Sequence, residues 1–188
     1  AALAGTLAST YTGNITINDA DNADINATDI TAIEGATNGT ITISNNVDIN
    51  GTATAVAAAV ADVNTFSGTP TATLTSAHTL AELKAINNAL SGTLTLGDYT
   101  VVLSGSSSDV AAALDGTFAS TYTGAASVND THNLDQLKTI NNGTSGTITL
   151  TDYTVTLNGS SSDVAAALDG TFAAQYTGAV SLNDNHTL

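Results

Sequence analysis

The chain has 188 residues, with 17 acidic side chains against two lysines and no arginine, for a formal charge of −15. Neutralising phosphates takes Lys and Arg, so nucleic acid is a poor partner, and an anionic membrane surface repels such a chain. The absence of cysteine excludes disulfides and thiolate metal sites, and there is no apolar run of roughly 18 residues to span a membrane. Hydrophobic residues make up 42% of the chain, yet Trp and Met are absent, so the core must be built from Ala, Val, Leu and Ile. Side chains this small each bury little area, so such a core calls for many thin, regular layers.

Residues 1–13 match residues 112–124 and read as the tail of a preceding repeat that covers residues 1–23. Asn18-Asp-Ala-Asp-Asn-Ala-Asp24 is the densest acidic stretch. Residues 24–77 form a diverged repeat, in which Gly39-Thr-Ile-Thr-Ile43 aligns with Gly92-Thr-Leu-Thr-Leu96. Residues 78–131 and 132–185 are two clean repeats, and residues 186–188 begin the next. The clearest sign is Gly105-Ser-Ser-Ser-Asp-Val-Ala-Ala-Ala-Leu-Asp-Gly-Thr-Phe-Ala119, which returns letter for letter 54 positions later as residues 159–173. A fixed period of this size is the signature of stacked repeats.

Each clean unit opens on a helix. Thr79-Leu-Ala-Glu82 is a capping box, with Asn133-Leu-Asp-Gln136 as its analogue. Leu80, Leu83 and Ile86, then Leu134, Leu137 and Ile140, recur at helical spacing. Asn87-Asn88 and Asn141-Asn142-Gly143 predict the helix stop, because Asn and Gly tolerate a left-handed backbone. Leu94 and Leu96, like Ile148 and Leu150, alternate with Thr as a half-buried strand does. Gly97-Asp98 and Thr151-Asp152 predict a tight hairpin to a second strand over residues 99–103 or 153–157. Ser108 is the expected N-cap of a short helix over residues 110–115, ended by Gly116. Residues 121–128 supply a third strand. The expected fold is an α/β repeat solenoid of ~54-residue helix-strand-strand-helix-strand units whose strands stack into a continuous sheet. Its core should contain Leu80, Leu83, Ile86, Leu94, Leu96, Val110, Leu114 and Phe118 with their equivalents one unit on. The repeat phase starts inside a helix and stops at the third residue of a unit, so the polypeptide is expected to continue past both ends.

The candidate sites are few. Asp19, Asp21 and Asp24, with the Asn-Asp turns at Asp130 and Asp184, offer oxygen ligands of the kind calcium takes. The stretch is not an EF-hand, since the turn glycine is missing and Ile30 stands where the bidentate Glu belongs. His78, His132 and His186 recur once per unit. Two strand layers would set successive histidines ~10 Å apart, too far to share an ion. A histidine at a helix entrance is the plainer reading. Ser106-Ser-Ser-Asp109 is explained by helix capping and needs no hydrolase. Tyr99 and Tyr153 are expected to cap the core beside the turn. The Thr pairs Thr40/Thr42, Thr93/Thr95 and Thr147/Thr149 occur once per unit, so a threonine ladder of the ice-binding kind would be sparse. Asn-x-Ser/Thr triplets such as Asn14-Ile-Thr16 would take glycans only in a suitable host.

The pattern His-Thr-Leu-x-x-Leu-Lys-x-Ile-Asn-Asn, Ser-Gly-Thr-x-Thr-Leu-x-Asp-Tyr, Ser-Ser-Asp-Val-Ala-Ala-Ala-Leu resembles tandem repeats of giant acidic cell-surface and extracellular proteins of marine cyanobacteria. The resemblance covers residues 78–188 well and the first 77 loosely, where Ile25 replaces the histidine and Thr31 the lysine. It implies secretion without a cleaved signal, and a surface-layer, fibre or adhesive role outside the cell. It brings no catalytic residues. The expected function is therefore a non-enzymatic structural or adhesive repeat segment. Its expected partners are copies of itself or neighbouring repeats, and surface glycans. A carbohydrate- or ice-binding solenoid module is the alternative.

Overall fold

A side-chain cap opens five of the six helices among the described residues, and apolar residues at helical spacing follow it. The computed structural model describes residues 10–185. Over them lie six helices, α1 (Ala27–Glu34), α2 (Ala53–Asp62), α3 (Leu80–Ala89), α4 (Ser107–Leu114), α5 (Leu134–Gly143) and α6 (Ser161–Leu168). The Thr79 capping box is present: Glu82 N donates to Thr79 Oγ1, and Thr79 N donates to Glu82 Oε2 at 2.8 Å. Asn133 and Gln136 exchange the same two bonds, both at 2.9 Å.

Two of the predicted helix ends are corrected. The N-cap of α4 is Ser106 rather than Ser108, with Asp109 N donating to Ser106 Oγ at 3.1 Å, and Ser160 repeats the bond to Asp163 N. Ser106 is extended (φ −64°, ψ 152°), which is what an N-cap needs, and Asp109 still falls in the first turn beside the positive helix end. Asn87 and Asn88 do not stop α3, which runs through them to Ala89. Among the described residues the only non-glycine with positive φ is Asn22. Asn87 Nδ2 instead donates to the Ala113 carbonyl of α4, and Asn141 Nδ2 to the Ala166 carbonyl of α6 at 2.6 Å. Each thus ties its helix to the next one.

Short strands fill the intervals: β1 (Ile15–Ile17), β2 (Asp24–Asn26), β3 (Ile41–Ile43), β4 (Asp48–Gly51), β5 (Thr65–Phe66), β6 (Thr71–Leu74), β7 (Leu94–Thr95), β8 (Leu103–Gly105), β9 (Ala126–Val128), β10 (Ile148–Leu150), β11 (Leu157–Gly159) and β12 (Val180–Leu182). All their pairings are parallel, in the orders β1-β3-β5, β2-β4-β6-β7, β8-β9-β10 and β11-β12. The predicted hairpins at Gly97-Asp98 and Thr151-Asp152 are therefore wrong. β7 pairs with β6, and β8 with β9. Asp98 Oδ1 accepts from Thr100 N at 2.8 Å and from Thr100 Oγ1 at 2.7 Å, so the side chain turns the chain through a corner without reversing it along its own strand.

Each helix packs against the next, from α1 to α6. The strands follow in matching register, with Asp24 beside Asp48 and Asp48 beside Thr71. The first strand after each of α1 and α2 pairs with its counterpart, β3 with β5, and the second likewise, β4 with β6. At the start of each clean repeat the register steps sideways. There the second strand of one segment meets the first of the next, Ala72 opposite Leu94 and Ala126 opposite Ile148. Leu94 and Ile148 then bridge forward to Phe118 and Phe172.

The core sits between the helices and these strands. Leu83, Ile86, Leu94, Leu96, Val110 and Leu114 are buried as expected, as are Leu137, Ile140, Ile148, Leu150 and Val164. Leu80, Phe118, Leu134, Leu168 and Phe172 are half-buried against that core. Burial falls off at the last described strand. Ala126 and Val128 of β9 are 1% and 2% exposed, whereas their equivalents Val180 and Leu182 of β12 are 46% and 38% exposed. The expected helix tail in residues 1–9 and the start of a repeat at residues 186–188 lie outside the described residues.

Candidate functional site

The repeated histidines are set by the capping box that follows each of them. His78 is 4% exposed and His132 3% exposed, each just before the N-cap of a helix. His78 Nε2 lies 3.0 Å from Tyr122 Oη, and Tyr122 Oη donates to the Val101 carbonyl at 2.8 Å. The phenol has one proton, and it goes to Val101. His78 Nε2 therefore carries the hydrogen and donates to the phenol, which leaves Nδ1 as the bare ring nitrogen. That Nδ1 is buried and has no hydrogen-bond partner. His132, Tyr176 and Val155 repeat the arrangement at the same distances of 3.0 and 2.8 Å, with His132 Nδ1 again unpartnered. Burial holds both imidazoles below their usual pKa, against the upward pull of Asp98 and Glu82 on His78 and of Asp152 and Asp130 on His132. It also raises the Tyr122 phenol well above its usual range, and Tyr176 to about 12. Neither tyrosine was singled out as a histidine partner in the sequence. The available signal was that each lies 44 positions after its histidine in both clean repeats.

The carboxylates expected to hold calcium are distributed along the chain. Asp130 Oδ1 accepts from Ser107 N at 2.6 Å, and Asp184 accepts from Ser161 N at 3.0 Å and Ser161 Oγ at 2.8 Å. Both carboxylates thus sit at the N-termini of α4 and α6, where the helix dipole favours negative charge. Asp21 Oδ1 accepts from Asn46 N at 2.9 Å, and Asn45 Nδ2 donates to the Asp19 carbonyl at 2.6 Å. Asp24 opens β2 opposite Asp48. Asp48, not singled out in the sequence, accepts from Thr71 Oγ1 and Thr73 Oγ1, both at 2.8 Å. Among the described residues no three His, Cys, Asp or Glu gather as a metal site.

Both lysines are used alike. Lys84 pairs with Asp109, and Lys138 with Asp163 at 2.6 Å, each joining one helix to the next. These side chains are more than a third exposed, so solvent screens each pair and it adds little to stability. Ser106 and Asp109 form a helix cap, as capping alone predicts. Tyr99 and Tyr153 cap the core beside their turns, accepting from Leu96 N and Leu150 N, both at 3.0 Å. The threonine row is denser than one pair per repeat. The register sets Thr16, Thr42 and Thr65 side by side on three successive strands, and Asn50, Thr73 and Thr95 on three others. An open groove runs between the segment that follows α4 and the second half of α5, lined by Asp115, Phe118, Thr121, Lys138 and Asn142 among others. Among the described residues no helix is long and apolar enough to cross a membrane. No known protein family, curated protein or solved structure matches the chain.

Proposed function

We propose that the chain is a non-enzymatic, structural stretch of an α/β repeat solenoid, part of a secreted cell-surface fibre or layer whose partners are neighbouring repeats or further copies. One observation carries the reading: the chemically distinctive side chains of each clean repeat bond to the neighbouring segments. His78 reaches Tyr122, Lys84 reaches Asp109, Asn87 reaches Ala113 and Asp130 reaches Ser107; the next repeat duplicates the His, Lys and Asp bonds, and its Asn141 reaches the next helix at Ala166. A catalytic site would instead converge titratable groups on a cavity. The acidic balance suits a surface exposed to salt, where charge repulsion is screened. Antibodies raised against residues 78–185 should label the outside of intact source cells. Labelling only after the cells are opened would contradict the extracellular assignment.

The hydroxyl row through Thr16, Thr42 and Thr65 supports a second reading, a module that binds ice or an ordered glycan surface. Inhibition of ice recrystallisation, or retention on an insoluble polysaccharide, would favour it over a purely structural role.

A further inference from the structure

We infer that the His78–Tyr122 and His132–Tyr176 pairs are acid-sensitive staples, which join three successive segments of the chain in neutral medium and release them in mildly acidic medium. The geometry that carries this is the span of each pair. His78 precedes α3, Val101 lies between α3 and α4, and Tyr122 follows α4, so one phenol connects residues separated by 44 and 21 positions. The hydrogen-bond chain has a single direction, from His78 Nε2 to Tyr122 Oη to the Val101 carbonyl. Its imidazole must be neutral with the hydrogen on Nε2. A second proton can only go to Nδ1, which is buried with no acceptor in reach. Acid thus creates a charged and unsatisfied donor inside the packing, a costly state that the protein escapes by opening the contact.

The groups around each imidazole do not reverse this. Asp98 and Glu82 face His78, and Asp152 and Asp130 face His132, all favouring the charged form, yet burial outweighs them and the imidazoles titrate lower than free histidine. A group whose folded pKa is lowered binds its proton more readily when unfolded. Stability is therefore fully present above the ordinary histidine value of 6.5 and is lost as pH falls below it, levelling off beneath the folded value. The net charge acts the other way, since acid relieves self-repulsion in a chain at −15. A fall in stability between about pH 7.5 and pH 5.5 is thus the signature of the histidines, whose ordinary range that window brackets. The staple holds whether or not the chain belongs to an extracellular array.

The test compares melting of the wild-type chain with that of the double variant His78→Gln/His132→Gln across that pH range. The Gln amide can still donate to the tyrosine but does not titrate. The wild type should lose several degrees of Tm on acidification, and the variant should lose none. An equal loss in both overturns the inference. Because the variant can fail to fold, the imidazole C2 protons of the wild type are also followed by NMR. The His78 and His132 resonances should titrate below the ordinary 6.5. Titration of these two at or above that value overturns the inference on its own.

Discussion

Gly124→Ala destabilises the chain by about 3 kcal/mol, the upper end of the cost of forcing extra atoms into a packed site, and lowers Tm by roughly 6–12 °C for a chain of this size. The reason is a close approach of backbone to backbone. A β-carbon at Gly124 would lie 1.9 Å from the Val101 carbonyl oxygen and 2.7 Å from the Tyr122 ring. The carbonyl cannot withdraw without disturbing the Tyr122 hydroxyl bonded to it, and Gly124 itself donates to the Tyr99 carbonyl and accepts from Thr144. Gly178 meets Val155 at 2.0 Å in the same way. Gly35 is the control. It ends α1 in helical conformation (φ −60°) with its nearest neighbour 3.6 Å from the added atom, so Gly35→Ala is neutral or gains up to about 1 kcal/mol. Thermal melts of the two variants check the pair, and equal effects would mean that segments do not approach each other as described.

Leu94→Ala costs about 2–5 kcal/mol, the range for truncating a fully buried leucine. Leu94 is fully buried and joins the strand ladder on both sides, to Ala72 behind and Phe118 ahead. Val180→Ala removes a side chain that is 46% exposed and pairs on one side only, so it should cost within about 0.5 kcal/mol. Denaturant titration of both variants measures the contrast. A cost at Leu94 no larger than at Val180 would remove Leu94 from the core.

What was legible in the sequence was local or periodic. The capping boxes at Thr79 and Asn133 need only four consecutive residues, and both formed. The buried positions followed from helical spacing and strand alternation, and the exact copy of residues 105–119 carried them to the next unit. What failed depended on partners far along the chain. Gly97-Asp98 does turn the backbone, but a turn does not state whether the following strand returns beside its predecessor or pairs elsewhere. Asn87 reads as a helix stop because its intrinsic tolerance is visible, whereas its bond to a carbonyl 26 residues away is not. His78 and His132 stand at a helix entrance, as the sequence predicts. The phenol that completes each of them lies four elements further on, and only the shared spacing of His and Tyr could have suggested it. The sideways step in register between repeats left no mark in the residue types.

The stacking of repeats on one another is tested most directly by lengthening the array. Placing a second copy of residues 132–185 directly after Asn185 continues the repeat in phase. The added segment should cover Val180 and Leu182 as β10 covers Ala126 and Val128. Burying those two side chains contributes at least about 2 kcal/mol, and nearest-neighbour coupling then gives a higher Tm and a steeper denaturant dependence in a single transition. An unchanged Tm with a separate transition for the added copy would contradict the account.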